Sequence, residues 1–312
     1  MEEKILVIVG PTASGKSALG VTLARKFGGE VISADSRQVY RGLNIGTGKI
    51  TKKEMLGVPH HLLDVANPKK KFSAGDYVRA ARKAYSSVLQ NTRIAIVVGG
   101  TGFYIDALLG RIDMPEVRPN PPLRKRLQNK TAAQLFSLLK KRDPKRAKQM
   151  DTSSERNNKV RLIRALEVAM TKPTRTSRLN LDIGAKYDTL WIGVNPPFTV
   201  LERKINARLA ARIKGGMIAE AKRLRKAGLS FKRMEELGLE YRSLARFLQK
   251  KITKDEMVTE LQRDIRRYAK KQLAYWKRNK EIKWFDPKSK EIELVIQKWL
   301  STSPYVSTAR AR

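Results

Sequence analysis

Eight consecutive residues near the start of the chain have the types and the spacing of a phosphate-binding loop. They match the pattern Gly-x-x-x-x-Gly-Lys-Ser/Thr at every fixed position. In such a loop, successive backbone N–H groups and the lysine ammonium surround a phosphate, and the hydroxyl is offered to Mg²⁺. The residues predicted to bind a diphosphate or nucleotide are Gly10, Pro11, Thr12, Ala13, Ser14, Gly15, Lys16 and Ser17, with Ser17 as the Mg²⁺ ligand. The loop alone does not distinguish a nucleotide from another diphosphate.

One aspartate lies where acid–base chemistry would be expected. Asp35 ends the segment Glu30–Asp35, which follows the loop after one helical segment and has the composition of a short buried strand. In a doubly wound parallel sheet, the carboxyl ends of the strands face the ligand crevice. A carboxylate there could act as a general base, contact Mg²⁺ through water, or cap the segment that follows. Because its strand is predicted next to the phosphate loop, Asp35 is our best catalytic candidate.

A glycine-rich turn follows the apolar run Ile94–Val98. At this strand end a nucleotide-hydrolysing enzyme would normally place an acidic residue that holds Mg²⁺, but the chain has Gly99, Gly100, Thr101 and Gly102. The glycines would let a ligand approach the backbone, and Thr101 can hydrogen-bond without adding charge. A tight strand-to-helix turn would use the same residues, so both interpretations remain open from the sequence.

These motifs require a parallel sheet to position them, and the rest of the chain supplies its elements. Ile5–Val9 and Leu190–Val194 are apolar runs typical of buried strands. We predict an α/β fold: a phosphate-loop NTPase-like parallel sheet core flanked by helices, formed by residues 1–113 and 188–312. Several prolines and a basic helical pattern set apart an inserted, mainly helical domain at residues 114–187.

The charge balance predicts a polyanionic partner. The chain has 66 Lys and Arg against 29 Asp and Glu, a net charge of +37, far beyond what solubility requires. Residues 111–178 carry 19 basic against 6 acidic residues, and residues 201–280 carry 24 against 9. In the second region Tyr268, Tyr275 and Trp276 lie among the cations, which suits phosphate contacts and base stacking. For any single residue, ordinary surface charge remains the alternative.

Composition and spacing also exclude several classes of site. The 312 residues include no cysteine, which excludes disulfides and cysteine-based zinc sites. His60 and His61 are adjacent, so their side chains point apart and we expect them to be structural. The sequence shows no spanning segment, signal peptide or lipidation motif, so we expect no membrane partner and a cytoplasmic location.

Together the motifs closely resemble those of the bacterial tRNA dimethylallyltransferases, also called tRNA isopentenyltransferases. The matching motifs are GPTASGKS (10–17), DSRQVYRGLNIGTGK (35–49), PHHLLD (59–64), FSAGDY (72–77), VVGGTGFY (97–104), RLIRALEV (161–168), LGLEYR (237–242) and RRYAKKQLAYWKR (266–278). The resemblance extends from Ile5 to Phe285. Its order along the chain makes it far more specific than the phosphate loop alone.

The resemblance implies that dimethylallyl diphosphate donates its dimethylallyl group to the N6 amine of the adenosine 3′ of the anticodon in tRNA. The phosphate loop would then hold the donor with Mg²⁺, not ATP, although the motif by itself suggests ATP binding. Asp35 would be the base, Thr101 would assist the reacting group, and Arg208 would join Lys16 and Ser17 on the diphosphate. The inserted domain would bind tRNA, and the partner surface would be the anticodon stem-loop. The residues expected to contact tRNA are Asp35, Ser36, Arg37, Gln38, Thr101, Val160, Arg161, Leu162, Ile163, Arg164, Leu237, Gly238, Leu239, Glu240, Tyr241 and Arg242.

Three other functions share part of this pattern. A small-molecule or nucleoside kinase would use the same loop and an aspartate base but would not need a charge of +37. A GTP-driven RNA-binding protein would carry an Asn-Lys-x-Asp motif, whereas Asn158-Lys159-Val160-Arg161 ends in arginine. A prenyltransferase acting on free adenine nucleotides would have no use for so basic an insertion. We expect the chain to act as a monomer.

Overall fold

The computed structural model describes residues 3–302 except for 93, 113, 116, 118 and 172–186. The chain divides into two compact units, one formed by residues 1–112 and 183–312 and the other by residues 113–182. We call them the sheet unit and the inserted unit. The second crossing between them lies outside the described residues; the sequence predicted it at 187/188, a few residues later in the chain.

The sheet unit is built on six parallel strands in the order β3-β2-β4-β1-β5-β6. The strands are β1 (Glu3–Val9), β2 (Glu30–Ser33), β3 (His60–His61), β4 (Ala95–Gly99), β5 (Tyr187–Val194) and β6 (Lys283–Phe285). The predicted α/β fold with a parallel sheet is confirmed. β2 is shorter than predicted, so Asp35 lies two residues beyond its end.

Helices account for most of the remaining described residues. They are α1 (Lys16–Phe27), α2 (Lys52–Met55), α3 (Ala74–Asn91), α4 (Gly102–Leu108), α5 (Pro121–Gln128), α6 (Ala132–Arg142), α7 (Pro144–Gln149), α8 (Ser153–Arg156), α9 (Lys159–Met170), α10 (Phe198–Lys214), α11 (Met217–Lys226), α12 (Phe231–Leu237), α13 (Leu239–Leu248), α14 (Lys254–Trp276) and α15 (Glu291–Ser301). None of them is long and apolar enough to cross a membrane.

The strand order explains why three loops meet at one edge of the sheet. β4 lies between β2 and β1, and its end is level with theirs, since Val98 pairs with Ser33 and Gly99 with Val9. Leu6 to Val9 of β1 are fully buried, as expected for a central parallel strand that is covered on both faces. The loops after β1, β2 and β4 therefore leave the sheet side by side at its carboxyl edge.

The helices begin and end where local chemistry allows. Gly28 adopts φ 64° and ends α1, because glycine tolerates the left-handed conformation that closes a helix. Ser73 and Asp76 form a reciprocal capping box at the start of α3. Helices α10 to α14 share an apolar core with loop residues of the sheet edge, which are Ala13, Val39, Tyr40, Leu43 and Ala66. This core anchors α14 beside those loops.

The inserted unit consists of helices α5 to α9 in its described part, in agreement with the predicted helical character. Four of these helices bury a compact apolar cluster that includes Leu127, Leu135, Leu139, Leu162 and Leu166. Each helix starts at a side-chain cap, supplied by Asn120, Thr131, Asp143, Thr152 and Asn158. Such caps satisfy N–H groups that would otherwise lack partners.

Candidate active site

The phosphate loop has the backbone that its glycines permit. Gly10 adopts φ +152°, and a Cβ there would lie 2.4 Å from the Val194 carbonyl oxygen. Gly15 adopts φ +97° immediately before α1. Only glycine fits both positions without strain. The loop therefore delivers Lys16 and the exposed Ser17 to the first turn of α1, where a helix N-terminus favours anions.

Lys16 forms no ion pair with a carboxylate of the described residues, so its ammonium group is available to an anionic ligand. Its Nζ donates to the Pro11 carbonyl at 3.1 Å. Burial lowers the pKa of Lys16 to about 8; the charge of Asp35 acts in the opposite direction, and that of Arg208 in the same direction. An incoming diphosphate would stabilise the charged ammonium and raise this pKa again. The charges of Asp35 and Arg208 are therefore both close enough to act on Lys16.

Asp35 lies in a turn, and one of its two carboxylate oxygens accepts hydrogen bonds. Oδ1 accepts hydrogen bonds from the backbone N–H groups of Arg37 at 2.8 Å and Gln38 at 3.2 Å. Oδ2 accepts none from the residues that the structure describes. The capping alternative needs correcting, because a turn and not a helix follows Asp35. One oxygen fixes the turn, and the other has no hydrogen-bond partner among the described residues.

Thr101 ties the β4 loop to the β2 loop. Its backbone N–H donates to the Ala34 carbonyl at 3.1 Å, and its Oγ1 accepts the Ser36 N–H at 3.0 Å. The hydroxyl of Tyr268 on α14 hydrogen-bonds the Thr101 side chain. Burial, and next the charge of Asp35, raise the pKa of Tyr268, so its hydroxyl stays protonated. Thr101, Tyr268 and Asp35 thus form one cluster.

The glycines of the β4 turn serve protein contacts, which corrects the idea that they leave room for a ligand. A Cβ at Gly99 would lie 2.1 Å from the Ala34 carbonyl oxygen. At Gly100 and Gly102, a Cβ would come within 2.1 Å of the Gln272 and Tyr275 side chains, respectively. The turn is therefore glycine-rich because β2 and α14 press against it, and Thr101 is its one residue with a polar side chain.

Arg208 projects from α10 towards the loop that contains Gly48, and a Cβ on Gly48 would lie 3.1 Å from its guanidinium. Residues 44–46 of this loop are held by Glu220 of α11, which sequence analysis missed. Glu220 is buried and accepts three successive backbone N–H groups at 2.8 to 3.0 Å, as well as the Tyr241 hydroxyl at 2.7 Å. A glutamate on the apolar face of a helix was the pattern that could have revealed it.

Two segments predicted to contact tRNA lie together in the sheet unit. A Cβ on Gly238 would have the Arg37 and Arg242 guanidinium groups 3.7 and 3.8 Å away. Leu237 and Tyr241 are buried, which corrects the prediction for these two side chains. Glu240 pairs with Arg212 at 3.0 Å. Arg37 and Arg242 are therefore the cationic side chains of these two segments that remain available to contact an RNA phosphate backbone.

The predicted segment 160–164 in the inserted unit also needs a correction at residue level. Leu162 and Ile163 are buried in the core of the unit, so their side chains cannot face an RNA. Arg164 is paired with the buried carboxylate of Glu167 at 2.7 Å. Val160, 78% exposed, and the exposed Arg161 remain as surface groups.

The described residues contain no cluster of three acidic or histidine side chains that could hold a metal by itself. His61 instead hydrogen-bonds Glu30 at 2.6 Å, and His60 hydrogen-bonds the Val58 carbonyl at 2.9 Å. Both histidines therefore have structural contacts, as the sequence predicted.

The fold and the site together define a class. A phosphate loop, a carboxylate on another loop of the same sheet edge and no acid at the end of β4 are features of an α/β phosphate-loop transferase rather than of a nucleotide hydrolase.

Comparison with known proteins gives the family. The chain matches the IPP transferase family over residues 38–279, and it belongs to that family. It is 37% identical over 306 residues to the tRNA dimethylallyltransferase of Carboxydothermus hydrogenoformans, covering 96% of each chain. The solved tRNA isopentenylpyrophosphate transferase of Bacillus halodurans superposes with a TM-score of 0.70 at 34% identity and 96% coverage of both chains. A eukaryotic dimethylallyltransferase solved while acting on tRNA has a TM-score of 0.80 at 23% identity, covering 99% of this chain and 82% of its own, which shows a shared fold.

Proposed function

We propose that this protein transfers a dimethylallyl group from dimethylallyl diphosphate to N6 of the adenosine 3′ of the anticodon in tRNA. The observation that supports the proposal most is that the phosphate loop and Asp35 lie at the same sheet edge. One carboxylate oxygen of Asp35 accepts hydrogen bonds from its own turn, and the other has no partner among the described residues. The names of the bacterial relatives support the same reaction.

The donor would bind through its diphosphate. Lys16, Arg208 and the loop N–H groups supply positive charge where the leaving diphosphate becomes more negative, and such preorganised groups lower the barrier. Mg²⁺ uses one or two protein ligands together with phosphate oxygens and waters. The exposed hydroxyl of Ser17 fits that requirement and would hold the ion, which would neutralise charge on the leaving group.

The acceptor amine would lie at Asp35 and Thr101. As the bond from N6 to the first carbon of the dimethylallyl group forms, the bond from that carbon to the diphosphate oxygen breaks. The N6 proton then passes to the open oxygen of Asp35, in general-base catalysis. Thr101, held by Ser36 and Tyr268, would orient the reacting group through its hydroxyl.

The basic surface would bind the tRNA backbone. In the sheet unit Arg37 and Arg242 converge at Gly238, and the inserted unit adds exposed cations such as Lys125, Arg126 and Lys141. The target base would have to leave its stack to reach the sheet edge, as in other base-modifying enzymes. Binding should weaken steeply as salt rises, because each neutralised phosphate releases counterions. The reaction would take place in the cytoplasm, where tRNA is found.

A direct test uses the purified chain with dimethylallyl diphosphate, Mg²⁺ and unmodified tRNA. We expect digested tRNA to contain an adenosine heavier by one dimethylallyl group in place of a proton, with one diphosphate released and no ATP consumed. A transcript with guanosine in place of the target adenosine is the control and should stay unmodified. A requirement for ATP, with ADP as product, would favour the kinase alternative and overturn the proposal.

A further inference from the structure

Gln272 of α14 connects the two loops that carry the reacting groups. It is 6% exposed, and its Oε1 accepts the backbone N–H of Thr12 in the phosphate loop at 2.8 Å. Its Nε2 donates to the carbonyl oxygen of Gly100 in the β4 loop at 3.0 Å. Both ends of the amide are therefore in use, one on each loop.

The bridge requires an amide of this length. A glutamine carries an acceptor and a donor on one planar group, and here they meet a backbone N–H and a backbone C=O. The contact is close, because a Cβ on Gly100 would lie 2.1 Å from Nε2. Thr12 is four residues before Lys16, and Gly100 directly precedes Thr101. The Gln272 amide therefore spans the distance between the donor side and the acceptor side of the site.

Helix α14 presents a row of side chains to the β4 loop. Tyr268, one turn before Gln272, hydrogen-bonds Thr101, and Tyr275 packs on Gly102 while its hydroxyl donates to Asp106. Residues four and three apart lie on one helix face. Gln272 is the member of this row that also contacts the phosphate loop.

We propose that Gln272 is a positioning residue for the transfer reaction, one that holds the phosphate loop and the Thr101 loop at the spacing in-line attack requires. The inference rests on the proposed function. Gln272 acts through backbone groups and touches no reacting atom. Since a misplacement of about 1 Å can lower a rate about 10²-fold, its loss should lower kcat much more than it weakens binding of either substrate.

Two variants test the spacing role by steady-state kinetics. Gln272→Met keeps the shape but removes both hydrogen bonds, and we expect kcat to fall by about 10²-fold with the donor KM changed less than about threefold. Gln272→Glu keeps the acceptor for Thr12 but turns a second oxygen towards the Gly100 carbonyl. Protonation of that carboxyl restores a donor, so the rate relative to wild type should recover as the pH falls. Gln262→Met, on the same helix but away from both loops, is the matched control.

A second measurement does not depend on turnover. Hydrogen exchange is followed in segments 10–17 and 99–104, with and without inorganic diphosphate. In the wild type we expect diphosphate to protect both segments, because Gln272 transmits the ordering of the first loop to the second. In Gln272→Met only segment 10–17 should gain protection. Equal protection of segment 99–104 in both proteins, or an unchanged kcat in Gln272→Met, would overturn the positioning role. If the wild type forms no prenylated adenosine and only the variant loses the coupling, the proposed function fails, while the coupling of the two loops through Gln272 stands.

Discussion

The two units use cations of the same kind in opposite ways. At the sheet edge, Lys16 and Arg208 form no ion pair with any carboxylate in the described part of the chain. In the inserted unit, Arg124 and Arg164 both bind Glu167 at 2.7 Å, and the Glu167 side chain is fully buried. The first pair is left available to an anionic ligand, whereas the second holds helices α5 and α9 together.

The pKa values show the same difference. Burial acts to raise the pKa of Glu167, but hydrogen bonds from Arg124, the Asn120 N–H and Arg164 outweigh it and lower the pKa to about 2. For Lys16 the charge of Asp35 only partly offsets burial, which lowers its pKa to about 8. A charge that is paired within the protein contributes to stability, while an unpaired buried charge is available to bind a ligand of opposite charge. High basic content therefore does not by itself identify an RNA-binding or catalytic surface.

The largest effect that we expect is on the rate, from a change at the sheet edge that leaves the fold intact. Asp35→Asn keeps the shape and the turn but removes the proton acceptor, so kcat should fall by roughly 10²–10⁴-fold. Single-turnover kinetics with saturating donor and tRNA would measure it.

Asp143→Asn is the matched control, because Asp143 caps α7 by accepting the Arg146 N–H and asparagine caps equally well. A rate for Asp35→Asn close to wild type would show that Asp35 only closes its turn.

The next largest effect is expected at Lys16, which forms no ion pair with a carboxylate of the described residues. Lys16→Met should lower kcat/KM for the donor by about 10²–10³-fold, as does removal of one preorganised donor in other sites. The variant should unfold at the same temperature or higher, since a buried charge is lost. A lower Tm with unchanged kcat/KM would mean that Lys16 is structural, like Arg124.

The pKa of Lys16 adds a pH dependence with a definite sign. Free Lys16 is protonated below its pKa of about 8 and is mostly neutral between there and its ordinary value of 10.5. In that window diphosphate binding must take up a proton, so affinity should fall as the pH rises. Calorimetry in buffers of different ionisation enthalpy would detect the uptake, and Lys16→Met should show none.

The smallest effect at neutral pH lies in the inserted unit and concerns stability alone. Glu167→Gln removes the charge that pairs with two half-exposed arginines, so the unit should lose about 2 kcal/mol of unfolding free energy. Hydrogen exchange of the α9 backbone amides would measure this loss of stability. Glu155→Gln, which breaks the exposed pair with Arg161, is the control and should have an effect below about 1 kcal/mol.

The stability of the inserted unit should also depend on pH in the acid range. Because the folded pKa of Glu167 is depressed, its contribution is fully present above the ordinary value of 4.5 and is lost as the pH falls towards about 2. Glu167→Gln should lack this part of the pH dependence. Equal acid sensitivity in both proteins would show that Glu167 does not stabilise the unit in this way.

The sequence by itself determined the local features of this protein. The phosphate loop and the buried strands β1, β4 and β5 follow from short patterns. Such patterns are predictive because backbone conformation, capping and strand burial depend on neighbouring residues.

Only the tertiary structure decided which residues meet across long stretches of chain. Gln272 and Thr12 are 260 residues apart, and Glu220 reaches the 44–46 loop from more than 170 residues away. Whether Arg164 is free or paired, and whether the turn glycines face a ligand or α14, depend on burial and on distant partners. Such long-range contacts are properties of the packed chain, and no local spacing specifies which distant residue a side chain meets.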